Sequence, residues 1–429
     1  MPQLLLGQTL SFTNNPWHVP PDEAVQHIRN GAVLVDGGLI IEVGAAEALK
    51  AAYPQAAITD HGSALLMAGF VDSHAHFPQT AIIASWGKRL IDWLNTYTFP
   101  EESRFGNADY AAKVAETYLD LNLSNGITTA CAYCTIHPES VDAYFTAAQA
   151  RGMRMLGGKV MMDRNAPENL RDTAQSGYDD SKALLNKWHG VERLSYTITP
   201  RFAPTSTPEQ LEATGALWAE HPACLMQTHL SEQHEELAWV KDLFPKQPDY
   251  LAVYEHFGLL GPGAVMGHSI YLSDREWDAI RDAGASIAHC PTSNAFIGSG
   301  LFHATRSHAL GIRTGLATDV GGGSSFSMLR TMASAYEIGQ LKGDALHPAQ
   351  LLYMATVGSA EALHIGAHVG NLEAGKEADI IVLNLASTPV ITQRVAEAEN
   401  LWEALFPTIM LGDDRAIDAV YIAGKRHYS

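Results

Sequence analysis

The stretch GFVDSHAHFPQT, residues 69–80, ends an apolar run with two histidines one residue apart, His74 and His76. Alternate side chains of a strand share a face, so both imidazoles point the same way where the strand gives out. A strand ending in H-x-H is a two-toothed clamp for a metal ion. Seven more apolar runs read as strands: ITTACAY, MLGGKVMMD, LSYTITPRF, ACLMQTHLSE, AVMGHSIYL, ASIAHCPTSN and TGLATDVGG. Between them lie amphipathic stretches such as YAAKVAETYLDLNLSNG and DREWDAIRDAG, each closed by Gly, a helix stop. Eight β/α units over about 300 residues predict an α/β fold built on a TIM-like (β/α)8 barrel. A doubly wound sheet would want a G-x-G-x-x-G turn after its first strand, and none is there. The GGGSS at 321–325 lacks the Lys of a phosphate loop and reads as a tight turn.

The chain ends differ from this middle. LLLGQTLSF and AVLVDGGLIIEVG near the start, ADIIVLN and AIDAVYIAGKRHY near the end, read as short strands, with Asp36-Gly37-Gly38 as a hairpin signal. These ends are expected to meet in one small β-sandwich domain. The expected organisation is therefore 1–63 and 367–429 as the two parts of that domain, and 64–366 as the catalytic barrel.

Composition excludes several functions. The chain has 429 residues, 46% of them hydrophobic, and a formal net charge of -19. That charge opposes a phosphate backbone or an anionic membrane surface, so neither nucleic acid nor membrane is an expected partner. No run approaches the roughly 18 apolar residues of a membrane span, and MPQLLLGQTLSF lacks the basic start of a targeting segment. A soluble cytoplasmic protein is expected. Of the four cysteines, Cys131 and Cys134 form a C-x-x-C, but no second pair completes a zinc site, and buried reduced thiols are the expectation. The H-x-E plus P-C-x-x-C signature of one class of zinc deaminases also fails, because Ala75 precedes His76 and Ala130 precedes Cys131.

Active sites of such barrels lie at the C-terminal ends of the strands. Run one ends in His74 and His76, run four in Arg201, run five in His229 with Glu232 three residues on, run six in His268, and run eight in Asp319. Each has an ordinary structural reading: a lone His is more often a hydrogen-bonded core residue, Asp319 could cap a helix, and Glu232 could be a first-turn acid. His234, His256, His289 and His364 keep that reading as surface or core histidines. Placed together, His74, His76, His229 and Asp319 are ligand types that zinc accepts, and a water bound there would have its pKa lowered to about 7. Glu232 could carry its proton, and His268 could hold or polarise it. The set predicts metal-assisted hydrolysis.

FVDSHAH, HLSE, GHSIYL and ATDVGGG, in this order, resemble the amidohydrolase superfamily, and GKEADIIVLN is similar to the segment by which its chains return to the β domain. Run four ends in Arg201 while Lys159 lies in run three, so the resemblance is to the one-metal deaminase branch, not to members with a carboxylated lysine. Within that branch HFPQT, WLNTYTFPEE, GKVMMDRNAP, TPRFAPTS, HLSEQHEELAWVK, HCPTSNAFIGSGLF and TDVGGGSSFSMLRTM resemble the guanine deaminase family over nearly the whole chain. The resemblance implies one zinc per chain on His74, His76, His229 and Asp319, proton handling by Glu232 and His268, a catalytic, stabilising role for Asp319, and a homodimer. It also implies that His76, Gln79, Arg201, Phe202, His229, Glu232 and Asp319 contact the substrate guanine. An amide, a guanidinium and an aromatic face suit a purine ring. Pterin, oxidised purine and aminotriazine rings, and a non-catalytic metal-stabilised scaffold, remain as alternatives. Two departures from the family pattern, Ala68 and Gly267, are expected to touch no ligand.

Overall fold

The structure, a computed structural model, describes residues 2–87 and 89–428. Four strands open the chain: β1 (Gln3–Phe12), β2 (Val25–Asp36), β3 (Leu39–Ala45) and β4 (Ala57–Ala68). The β2–β3 hairpin turns at Gly37 and Gly38, whose φ values of 59° and 86° are those a tight two-residue hairpin turn requires. The barrel strands follow: β5 (Phe70–His76), β6 (Ile127–Tyr133), β7 (Arg154–Gly158) with its short continuation β8 (Val160–Met161), β9 (Ser195–Pro200), β10 (Leu225–Leu230), β11 (Ala264–His268), β12 (Ser286–His289) and β13 (Thr314–Leu316). The chain then returns through β14 (Ile380–Leu383), β15 (Ile417–Ile422) and β16 (Lys425–Tyr428).

The strands β5 to β13 form a parallel sheet that follows chain order, as the eight apolar runs predict. The third run is split at Lys159, with β7 and β8 each pairing β9. Closure comes from hydrogen bonds between the first and last runs. The Asp319 N–H donates to the His74 carbonyl at 3.0 Å, the His76 N–H to Val320 at 2.6 Å, and the Thr318 N–H to Asp72 Oδ1 at 3.0 Å. Val71, Cys131, Leu156, Leu225, Val265, Ala288 and Ala317 fill the barrel interior, so it is a packed core. All four cysteines are buried and unpaired.

Both chain ends build one seven-stranded mixed sheet, in the order β16-β15-β14-β4-β1-β2-β3. It folds onto itself, because Leu5, Val33 and Val35 from one end share a core with Ile380, Val382 and Ala419 from the other. The expected boundary at 63/64 falls inside β4. Leu65 to Ala68 still pair with β14, and Leu65 and Leu66 with β1, so the chain leaves this sheet only at Gly69. The reason is that the apolar run starting at Ala64 serves both sheets, its first part ending β4 and its second opening β5; the division we propose is at Gly69. Ion pairs tie the sheet to the barrel: Arg154 Nε donates to Glu377 Oε2 at 2.8 Å, Arg193 Nη2 to the same oxygen at 2.6 Å, and Arg193 also binds Asp379.

Candidate metal and substrate site

The strand ends bring His74, His76, His229, His268, Glu232 and Asp319 into one buried cluster. His76 Nε2 lies 3.1 Å from His229 Nε2, and Asp319 Oδ1 lies 3.4 Å from both His74 Nε2 and His76 Nε2. His229 Nδ1 donates to the Arg201 carbonyl at 2.7 Å, which fixes the tautomer and leaves Nε2 bare. His74 Nε2 is buried without a hydrogen-bond partner. Bare nitrogens converging on one carboxylate are what a divalent cation requires, so these residues fit a metal. Two groups of possible ligands, His74 with His76 and His229, and His74 with His268, Cys290 and Asp319, each gather their atoms within 4.8 Å.

Electrostatics agree with that fit. Burial drives the imidazoles of His74, His76 and His229 toward their neutral form, the form that ligates. Burial would raise Asp319, but the His74 ring 3.4 Å away and the positive charge that His268 carries beside it outweigh this and hold it at about 2. Glu232 is pushed up by burial, against the pull of His268. His268 moves up as well, because the carboxylates of Glu232 and Asp319, 3.5 and 3.6 Å away, outweigh the burial that opposes its charge.

Backbone conformation holds these groups in place. Ser231, His268, Ser269 and Asp319 all adopt positive φ, between 48° and 62°, a region that costs an L-residue on the order of 1–3 kcal/mol. Local hydrogen bonds offset that strain: the Ser269 N–H donates to Leu230 at 2.9 Å, beside the Asp319 bond that closes the barrel. Glu232 precedes the helix His234–Leu243, and its N–H donates to Glu236 Oε2 at 2.8 Å. Its Oε1 accepts from Ser299 Oγ at 2.6 Å, and His268 Nδ1 bonds Asn294 Oδ1 at 2.8 Å.

Beside this cluster lies a cavity lined by His76, Gln79, Arg201, Phe202, His229, Glu232, His268 and Asp319, with Leu90, Trp93, Leu94 and Ile297 as apolar walls. Every site residue expected from the sequence except His74 lines it, and His74 sits directly behind. Phe202 is buried and meets His229 edge-on at 6.3 Å between ring centroids. The apolar walls come from the long excursion between β5 and β6 and from the loop after the helix Pro291–Phe296, where strand-end reasoning does not reach.

Lys159 belongs to neither wall: it is fully buried, and its Nζ donates to Asp172 Oδ2 at 2.6 Å. Glu102, Glu236, Asn294 and Ser299, which support the site, carry no strand-end signal in the sequence. One expectation is corrected. Gly267 does touch a ligand's surroundings, since a Cβ there would stand 2.9 Å from His74 Cε1, so the ring of His74 packs into the space that the missing side chain leaves.

Comparison with known proteins agrees with this geometry. The amidohydrolase family profile matches residues 65–426. A guanine deaminase of Escherichia coli K12 is 42% identical over 94% of this chain and 92% of its own length. Among solved structures, E. coli guanine deaminase superposes with a TM-score of 0.97 at 40% identity, covering 100% of this chain and 99% of that one. The guanine deaminase of C. acetobutylicum with guanine bound in its active site superposes with a TM-score of 0.90 at 30% identity, covering 100% of both chains. The chain belongs to the amidohydrolase family, within its guanine deaminase branch.

Proposed function

We propose that the chain deaminates guanine by hydrolysis, releasing xanthine and ammonia. The observation that carries this is the adjacency of a buried His/Asp/Glu cluster to a narrow apolar slot with Arg201, Gln79 and Phe202 on its wall. His74, His76, His229 and Asp319 would hold one zinc, which when bound would lower the pKa of a coordinated water to about 7 and supply hydroxide at neutral pH.

Phe202 stacks on the ring and the apolar walls exclude bulk water, while Arg201 and Gln79 orient the ring so that C2 faces Glu232 and His268. Glu232 accepts the proton of the attacking water as the C2–O bond forms and delivers it to ring N3. A second proton, from the hydroxyl now on C2, passes through Glu232 to the 2-amino group; the C2–N bond breaks as the C2 carbonyl forms, and ammonia leaves. A carboxyl raised by burial suits this two-way traffic, because it gives up a proton more readily near neutral pH than a strong base would and takes one up more readily than a solvated acid. His268, held by Asn294, donates to the attacking oxygen and stabilises the charge on it, while the ionised Asp319 accepts a hydrogen bond from the attacking water and orients it.

A homodimer is carried by the family resemblance. The four buried, unpaired cysteines suit a reducing compartment such as the cytoplasm. Among the described residues no helix is long and apolar enough to cross a membrane.

The test is ultraviolet absorbance after adding guanine to purified protein of measured metal content, with isoxanthopterin and 8-oxoguanine alongside. Conversion of guanine to xanthine at about one zinc per chain is expected. Turnover of another ring in its place would overturn the substrate reading, and a fully metallated protein inert toward all three would overturn the enzymatic one.

A further inference from the structure

Glu102 ends the short helix Phe99–Glu102 and is 1% exposed. A carboxylate so deeply buried is costly unless its oxygens are paired. Its pairing is selective. Oε1 accepts from Gln79 Nε2 at 2.9 Å, and Oε2 accepts from Arg201 Nη1 at 2.8 Å. These two partners, 23 residues before it and 99 after it, are the polar residues on the ring-reading side of the cavity.

The consequence for Gln79 follows from its other end, where Oε1 accepts from the Gly321 N–H at 3.2 Å. With Nε2 committed to a carboxylate and Oε1 to an N–H, the amide has one allowed orientation. Its second N–H is left for the cavity, while its oxygen is turned toward Gly321. Arg201 is a donor in any state, and its pairing with Glu102 fixes the plane of its guanidinium. The polar edge of the cavity is therefore a donor edge, and one carboxylate makes it so.

We propose that Glu102 is a positioning residue that sets ring selectivity: by holding Gln79 and Arg201 as donors it favours a 6-oxo purine over a 6-amino purine. This rests on the guanine reading above. Guanine presents O6 and N7 as acceptors to such an edge, whereas 2,6-diaminopurine keeps the reacting 2-amino group and places a donor at position 6. A site built from fixed donors rejects the second ring because two N–H groups then face each other unpaired.

The experiment compares zinc-loaded wild type with Glu102→Gln and Glu102→Asp, measuring kcat and KM separately for guanine and 2,6-diaminopurine, together with zinc content and Tm. A glutamine at this position would bring its own amide hydrogens, releasing Gln79 to turn its oxygen toward the ring. The expected result for Glu102→Gln is a guanine KM raised about tenfold or more with zinc retained, and a guanine preference over 2,6-diaminopurine reduced about tenfold. Glu102→Asp keeps the charge but shortens the arm; it should retain more of the preference, and it serves as the test if Glu102→Gln does not fold. A selectivity ratio within about twofold of wild type in the folded variants, or an equal loss for both rings with loss of zinc, would overturn the proposal. Wild-type protein that turns over neither ring would overturn the guanine reading itself, an outcome visible before any variant is made.

Discussion

The two walls of the cavity are built by different means. The metal wall takes His74, His76 and His229 from barrel strands, where side-chain direction follows from the strand's alternation, and His268 and Asp319 from positive-φ positions where strands end or have just ended. The ring wall takes Arg201 and Phe202 from a strand end, but Gln79, Glu102, Leu90, Trp93 and Leu94 from the helical excursion between β5 and β6. On the proposed reading the difference separates chemistry from choice: the rigid rim would carry the proton and metal work, and the inserted segment would determine which ring is held against it.

If that separation is real, variants of the two walls should fail in different ways. The largest effect belongs to Glu232→Gln, which should retain zinc while kcat falls about 10²–10⁴-fold, measured by steady-state kinetics beside metal analysis. A kcat near wild type would break the assignment of the proton carrier. Next comes His229→Ala, which removes one of the converging nitrogens; most of the zinc should be lost on dialysis, and guanine turnover with it. Arg201→Lys keeps the charge but loses the planar fork that pairs Glu102, so kcat/KM for guanine should fall about 10–100-fold, mainly through KM, at unchanged zinc content. A fall in kcat alone would merge the two walls into one.

The smallest effect on activity should come from outside both walls. Burial would raise the Glu377 carboxyl, but hydrogen bonds and charge from Arg154 and Arg193 outweigh this and hold it below its reference value of 4.5. A carboxyl depressed in the folded state stabilises the fold fully above that reference value, and the contribution disappears as pH falls through the folded value. Glu377→Gln should therefore leave kcat and KM unchanged and lower stability at pH 7 by about 1–3 kcal/mol. Its thermal melting curve should converge on that of wild type in acid, and a constant gap down to pH 3 would show that the pairs to Arg154 and Arg193 are not its source.

The sequence reveals the metal wall better than the ring wall for a physical reason. A polar residue at the end of an apolar run stands out locally, and eight such runs in order fix where their ends meet. Glu102 has no such signal: in FPEE it reads as one of two acids in a helical turn, and only its contact with Arg201, 99 residues on, gives it a task. Asn294 sits in the short helix Pro291–Phe296 and Ser299 in the loop after it, and in PTSNAFIGS any of several polar side chains could face inward. Gly267 reads as remote from the ligands because spacing alone does not reveal that the ring of His74 fills the space beside it. The boundary inside β4 is hidden for the opposite reason, since one unbroken apolar run serves two different sheets.

That shared run also has a bearing on how the chain is made. β4 pairs on one side with β1, already synthesised, and on the other with β14, where Ile380 meets Ala68 across 312 residues (380 minus 68). At roughly 5–20 residues per second the ribosome needs about 15–60 s to deliver that partner. Throughout that interval Leu65, Leu66 and Met67 form an open hydrophobic edge on the nascent chain, the kind of edge that recruits other strands. The barrel's first strand starts at Phe70, two residues after β4 ends, so any factor that shields this edge during translation also protects the segment carrying His74 and His76.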